Sequence, residues 1–406
     1  MAVGLTAPQH LAAVAGIRLG TATAGFKQLT HPDLVLIEMA PGATCAAVFT
    51  QNAFSAAPVV LAREHLANNP PRYLLINSGN ANAGTGKQGY AAARVSCEIV
   101  AGQAGCLISE VLPFSTGVIG ELLPVEKMQT AVPQAYANLV EDGWQGAASA
   151  IMTTDTVAKG CSEQCTIDGK AITVTGMAKG SGMIRPDMAT MLAYVATDAA
   201  VSQAVLDSCL RKAVNTSFNR ITVDGDTSTN DACVLMASGA AGNTLIDAVD
   251  STDAVSLFTA VEKVCGFLAQ AVIRDGEGAT KLMTIDVESG ADEGECEAVA
   301  YTIAHSPLVK TAFFAADPNW GRILAAVGRA GLANLDLNAI TIHLDNVCIV
   351  RDGGRAGDYT EAAGQKVMDQ DEITIRVALG RGDAAIRVWT CDLSYDYVRI
   401  NAEYRS

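Results

Sequence analysis

"KGSGMIRPDMATMLAYVATDA" (179–199) is the stretch on which the reading of this chain turns. Its first half is loop chemistry, with Gly180, Gly182, Arg185, Pro186 and Asp187 following Gly176. Its second half, Met191 to Thr197, is an apolar run of the kind that forms a strand buried on both faces. Thr190 stands at the joint. An internal threonine hydroxyl is a poor nucleophile, because nothing beside it in the sequence takes its proton. Cutting the Ala189–Thr190 peptide changes that: Thr190 then carries a free α-amino group, with an unperturbed pKa of about 7.7–8.0, next to its own hydroxyl, where it serves as base. Self-cleavage requires the hydroxyl to be held against the preceding carbonyl in a distorted backbone, which a Gly/Pro-rich approach into a rigid strand supplies. The plainer alternative is a threonine that merely begins a strand.

The surroundings of this stretch set the class of protein. The chain has 406 residues, half of them apolar but only 5% aromatic, so Ala and Gly carry much of the interior. Small side chains let backbones approach closely, which suits layered α/β packing. A formal net charge of −15 argues against nucleic acid, whose phosphates are neutralised by Lys and Arg. Eleven cysteines are scattered, and the closest pair, Cys161 and Cys165, has no second pair or nearby His to complete a zinc site. Reduced thiols, no metal, no signal peptide, no apolar run approaching a membrane span and a cytoplasmic location are the expectations.

Strand-like runs fall at 34–40, 73–77, 171–178, 191–197, 232–238 and 281–288, several apolar on both faces. Helical periodicity marks 202–218, with Ser202 as N-cap, and 253–275, ended by Gly276. "ADEGEC" (291–296) reads as an acidic linker. Beyond it, two helical segments (306–316 and 318–331) precede alternating runs at 339–350, 372–380 and 384–394, as in a half-exposed antiparallel sheet. The division expected is therefore 1–285 and a smaller α+β lobe at 286–406.

Two further motifs have bland readings that prevail. "GTGKQG" (84–89) follows a strand and opens a helix, as a dinucleotide fingerprint does. Its first glycine comes seven residues after the strand-ending Asn77, however, and no acidic residue closes a strand about 20 residues on, so a structural glycine loop is preferred over an NAD site. "DGDTSTND" (224–231) has the oxygen density of a Ca²⁺ loop but lacks the glycine and glutamate of an EF-hand, and suits a loop whose Asp and Thr groups cap the element that follows.

"KGSGMIRPDMATML" (179–192) closely resembles the processing segment of the glutamate N-acetyltransferase family, also called ornithine acetyltransferases. Other segments match in order: "TAPQHLAAVAGI" (6–17), "AAVFTQNAFSAAPV" (46–59), "NSGNANAGTG" (77–86), "PFSTGVIGE" (113–121), "AIMTTDT" (150–156), "TVDGDTSTND" (222–231), "DGEGATK" (275–281), "DPNWGRI" (317–323) and "INAEYRS" (400–406). The last residue departs from the family, which often ends in Thr where this chain has Ser406; both carry a hydroxyl and a carboxylate.

The resemblance implies an αββα sandwich like that of N-terminal-nucleophile hydrolases, within an α/β (α+β) fold, and self-cleavage between Ala189 and Thr190. The products, an α chain (1–189) and a β chain (190–406), stay together, typically as α2β2. It implies acetyl transfer from N-acetyl-L-ornithine to L-glutamate with Thr190 as nucleophile and Thr116 and Gly117 as oxyanion hole. Substrate binding falls to Thr153, Lys179, Thr190, Glu277, Asn401 and Ser406. No cofactor is implied; acetyl-CoA is an additional donor for some members, and no motif here decides that point. The competing readings are a self-processing aminopeptidase or amidase of the same fold and a non-catalytic amino-acid-binding protein.

Overall fold

Three sheets organise the chain in the computed structural model, which describes residues 2–27, 31–185 and 191–403. By contacts the molecule divides into two units. The larger comprises 7–219 and 227–272, and the smaller comprises 1–6, 220–226 and 273–406. The division thus falls at 272/273 rather than 285/286, and two short segments from earlier in the chain join the smaller unit.

In the larger unit, one sheet runs β1 (Ile17–Ala22), β2 (Leu34–Met39), β4 (Tyr73–Asn80), β5 (Val111–Val118) in that order. A second runs β3 (Thr44–Phe49), β10 (Ala232–Ala237), β8 (Leu192–Thr197), β7 (Lys170–Lys179), β6 (Lys159–Ile167). Side chains alternate across each strand, and this sorts the core. Ile37, Leu74, Ile76, Leu112 and Phe114 of the first sheet pack with Met177, Leu192, Tyr194, Val234 and Met236 of the second. Phe114 meets Tyr194 edge-on at 5.4 Å between ring centroids. On the outer face of the first sheet, Leu36, Tyr73, Leu75 and Val111 meet α1 (Ala57–Asn68), α2 (Gly86–Ala104) and α3 (Val125–Ala137). α4 (Trp144–Ala150) fills the inter-sheet core with Trp144. α5 (Gln203–Thr216) and α6 (Thr252–Arg274) cover the second sheet's outer face, where Gly176 leaves space for Val264 and Leu268. The layers are helix, sheet, sheet, helix, as expected.

α6 is long and apolar enough by length and composition to cross a membrane, contrary to the expectation that no run approaches a span. Its Leu257, Val261, Val264, Cys265, Leu268 and Val272 are fully buried, and it is a core helix.

The smaller unit has one mixed sheet, β14 (Gly354–Arg355), β13 (Val347–Arg351), β12 (Thr341–Leu344), β15 (Glu372–Ala378), β11 (Leu282–Gly290), β16 (Ala384–Cys391), β9 (Ile221–Thr222). α7 (Glu293–Ala304), α8 (Pro307–Phe314), α9 (Trp320–Gly328) and α10 (Glu361–Met368) share its apolar core, and α11 (Tyr395–Ala402) follows β16. The expected linker at 291–296 is the start of α7, capped by the Asp292 carboxylate on the Glu295 N–H. The run 339–350 is a hairpin, β12–β13, turning at Asp345 with φ +47°.

Candidate active site

Lys179 ends β7 and pairs across the antiparallel ladder with Leu192, the first residue of β8. The segment 180–191 therefore leaves and re-enters one sheet at adjacent strands. On the other side of β8, β10 runs parallel in the register Ala232↔Leu192, and the Ala232 N–H donates to the Met191 carbonyl at 2.9 Å. Ala189 and Thr190, and with them Ser406, lie outside the described residues; Met191, next in sequence to Thr190, is held between these two strands.

Asp155 organises the approach. Its Oδ1 accepts from the Gly180 N–H at 2.7 Å and from Lys159 Nζ at 2.6 Å, and its Oδ2 accepts from the Thr153 N–H at 2.9 Å. One buried carboxylate thus ties Thr153 to the residue after Lys179. Burial alone would raise its pKa, but the Lys159 and Lys179 charges outweigh that and hold it well below the usual carboxylate range. Lys159 and Asp155 side chains are both wholly buried, so the pair is fully desolvated.

Thr116 and Gly117 lie near the end of β5, where the parallel register sets Gly117 against Gly79 of β4. Gly117 has φ +135°, and a Cβ there would sit 2.2 Å from the Gly79 carbonyl carbon. Only glycine fits. Lys179 Nζ donates to Thr116 Oγ1 at 3.2 Å, joining the two sheets at this corner. Asn230 Nδ2 donates to the carbonyls of Ala81 (2.6 Å) and Ser115 (2.9 Å), so "TSTND" locks the end of β5. That is a structural role in place of cation binding. In "GTGKQG", Thr85 Oγ1 donates to Asn82 Oδ1 at 2.8 Å and Asn82 Nδ2 to the Gly89 carbonyl at 2.9 Å, as a structural glycine loop requires.

In the smaller unit, Glu277 is buried and accepts from Asn401 Nδ2 at 2.8 Å. The loop carrying it is held by Asp392, whose carboxylate takes the N–H groups of Thr280 (2.7 Å) and Lys281 (2.9 Å) and the Thr280 hydroxyl (2.6 Å). The Ser394 hydroxyl donates to the Gly278 carbonyl at 2.6 Å. Tyr397 on α11 donates to Asp224 at 3.2 Å, and burial together with the Asp224 charge raises its phenol pKa.

Of the sequence-derived residues, the larger unit brings Thr116, Gly117, Thr153 and Lys179 into one connected network, and the smaller unit pairs Glu277 with Asn401. Three further residues escaped the sequence reading. Asp155 and Lys159 stand in or just after the matched "TTDT", where the acid was the one visible charge. Asp231 is buried beside β8 with its Oδ2 unpartnered, and burial holds its pKa well above the usual range against the opposing hydrogen bond from Ser228 and the Lys179 charge.

The ArgJ family model matches residues 18–406. The chain is 60% identical over 397 residues (98% of this chain, 97% of the relative) to the arginine biosynthesis bifunctional protein ArgJ of Methylococcus capsulatus. To the protein of the same name from Pseudomonas fluorescens it is 55% identical over 406 residues, covering 100% of both. Among solved structures it is similar to ornithine acetyltransferase from Mycobacterium tuberculosis in complex with ornithine, at 35% identity and a TM-score of 0.39 over 45% of this chain and 96% of that one.

Proposed function

Given that the chain belongs to the ArgJ family, we propose that it moves an acetyl group from N2-acetyl-L-ornithine to L-glutamate by way of the Thr190 hydroxyl. Thr190 Oγ attacks the acetamide carbonyl, and its proton passes to the adjacent α-amino group. The C–N bond breaks, the departing amine takes that proton, and ornithine leaves an acetyl ester on the enzyme. Glutamate then attacks the ester through its neutral amine, giving N-acetylglutamate and the free hydroxyl. The exchange replaces one acetamide by another, so it needs no ATP, and splitting it at a covalent intermediate makes two similar steps of one hard one.

The observation that carries this reading is the network joining Lys179 to Thr116 and, through Asp155, Gly180 to Thr153. It sets a hydroxyl, a glycine backbone and a cation around the entry to β8. Thr116 and Gly117 are the proposed donors to the oxyanion of each tetrahedral intermediate. Lys179 is the proposed partner of the α-carboxylate common to both substrates. Glu277, oriented by Asn401, is the proposed partner of the ornithine side-chain ammonium, with Thr153 and Ser406 as neutral donors or acceptors. An α2β2 assembly, a cytoplasmic setting and the absence of a cofactor belong to the same proposal; all eleven cysteines are free thiols, which accords with a reducing compartment.

The test is ornithine release from N-acetylornithine with and without glutamate. A transferase releases one equivalent per enzyme without glutamate and turns over with it. Equal steady-state release in both cases would identify water as the acceptor, and with it an amidase.

A further inference from the structure

The loop before β2 brings one more cation to this corner. Asp33, only 1% exposed, collects the N–H groups of Ala24, Gly25, Phe26 and Lys27 at 2.6, 3.3, 2.6 and 3.2 Å. A turn wound on one buried carboxylate fixes where Lys27 starts. Two contacts then fix where it goes. Its stem crosses Gly79, where an added Cβ would come within 3.1 Å of Lys27 Cγ. Its ammonium donates to the carbonyl of Met152, the residue before Thr153. Gly79 is the register partner of Gly117, and Thr116 holds Lys179. Lys27 therefore borders the corner on both its glycine wall and its Thr153 wall. An ammonium has three donors, and one carbonyl occupies one of them. The Asp33 carboxylate is already engaged by four backbone N–H groups, and among the described residues no carboxylate forms an ion pair with Lys27.

We propose that Lys27 is a second cation for the substrate α-carboxylate, acting beside Lys179 in both half-reactions. This rests on the acyl-transfer reading above. Both amino-acid substrates present a carboxylate, so one additional fixed ammonium serves both. The charges around Lys27 agree with such a role. Burial lowers its pKa to about 8, Asp33 and Asp155 act to raise it, and Lys179 acts to lower it. At neutral pH it is a cation, and it loses its charge as pH rises through about 8. A bound carboxylate favours the protonated form, so affinity for both substrates weakens above that point. Arginine at this position keeps its charge throughout.

Steady-state kinetics of native enzyme, Lys27→Met and Lys27→Arg between pH 7 and 9.5 test this. Lys27→Met raises KM for N-acetylornithine and for glutamate together, by about 10–100-fold, the value of a charge-assisted hydrogen bond, with a much smaller change in kcat. Lys27→Arg keeps KM within a fewfold of native at pH 7 and lacks the alkaline rise. As acceptor, the glutamate analogue with a carboxamide for its α-carboxylate loses less in Lys27→Met than in native enzyme, a difference that a purely structural lysine would not produce. Unchanged KM values in Lys27→Met, or the native alkaline rise persisting in Lys27→Arg, would overturn the proposal while leaving acyl transfer intact. Absence of transfer in the native enzyme would overturn both.

Discussion

Thr116 Oγ1 accepts from Lys179 Nζ at 3.2 Å, and its neighbour Gly117 has room for nothing larger than hydrogen. If Thr116 donates to the oxyanion, Thr116→Val lowers kcat by about 10²–10³-fold with little change in KM, read from initial rates at saturating substrates. Asp155 and Asp231 are opposite cases of buried acids. The folded pKa of Asp155 is depressed, so its stabilisation is complete above the unfolded carboxylate range, about pH 4, and is lost as pH falls through the folded value. Asp155→Asn leaves Lys159 buried without its counter-charge, and thermal or urea unfolding at neutral pH should show a loss of about 3–5 kcal/mol. The folded pKa of Asp231 is raised, so its contribution is present below the unfolded pKa and is lost as pH rises through the folded one. Asp231→Asn should therefore flatten the alkaline side of a Tm-against-pH curve; a variant whose Tm falls with pH as steeply as native would contradict that.

At the scale of elements, α11 and the 275–281 loop form a single device built on the turn after β16. Asp392 takes three hydrogen bonds from Thr280 and Lys281, and Ser394 holds Gly278. Asp392→Ala should lower stability by roughly 2–4 kcal/mol, since bonds to charged groups are the strong ones, and should raise KM for N-acetylornithine through loss of the Glu277–Asn401 geometry; an unchanged KM would separate the loop from substrate binding. Strongly patterned elements were legible in the sequence: Leu192–Thr197, Ala232–Ala237 and α5 appear within a residue or two of where periodicity placed them. Elsewhere local signals misled. The acidic, glycine-bearing start of α7 looks like a linker because helix N-termini favour acids and tolerate such residues. α3 contains Pro133, which argues against a helix in sequence. Thr116, Lys179 and Glu277 were legible only through family resemblance. Asp155, Asp231 and Lys27 depend on burial and on partners 20 or more residues away, such as Gly180 for Asp155, and periodicity carries no record of those.

For the molecule as a whole, the site of cleavage matters more than the number of pieces. β7 precedes residue 189 and β8 follows it, yet the two are hydrogen-bonded neighbours from Val174↔Thr197 to Lys179↔Leu192. β8 and β10, from the second piece, lie between β7 and β3, from the first. Cutting the 189–190 bond therefore leaves one five-stranded sheet shared by both pieces, and gel filtration without denaturant should keep them together. The central claim is that breaking this bond arms Thr190 as an acyl carrier. Intact-mass spectrometry of the enzyme incubated with N-acetylornithine and no glutamate tests it most directly. The account predicts two chains, 1–189 and 190–406, with one added acetyl group on the second, removed by glutamate, and a Thr190→Ala variant that remains a single unacetylated chain. Active enzyme consisting of one uncut polypeptide, or an acetyl group carried by the first chain, would contradict it.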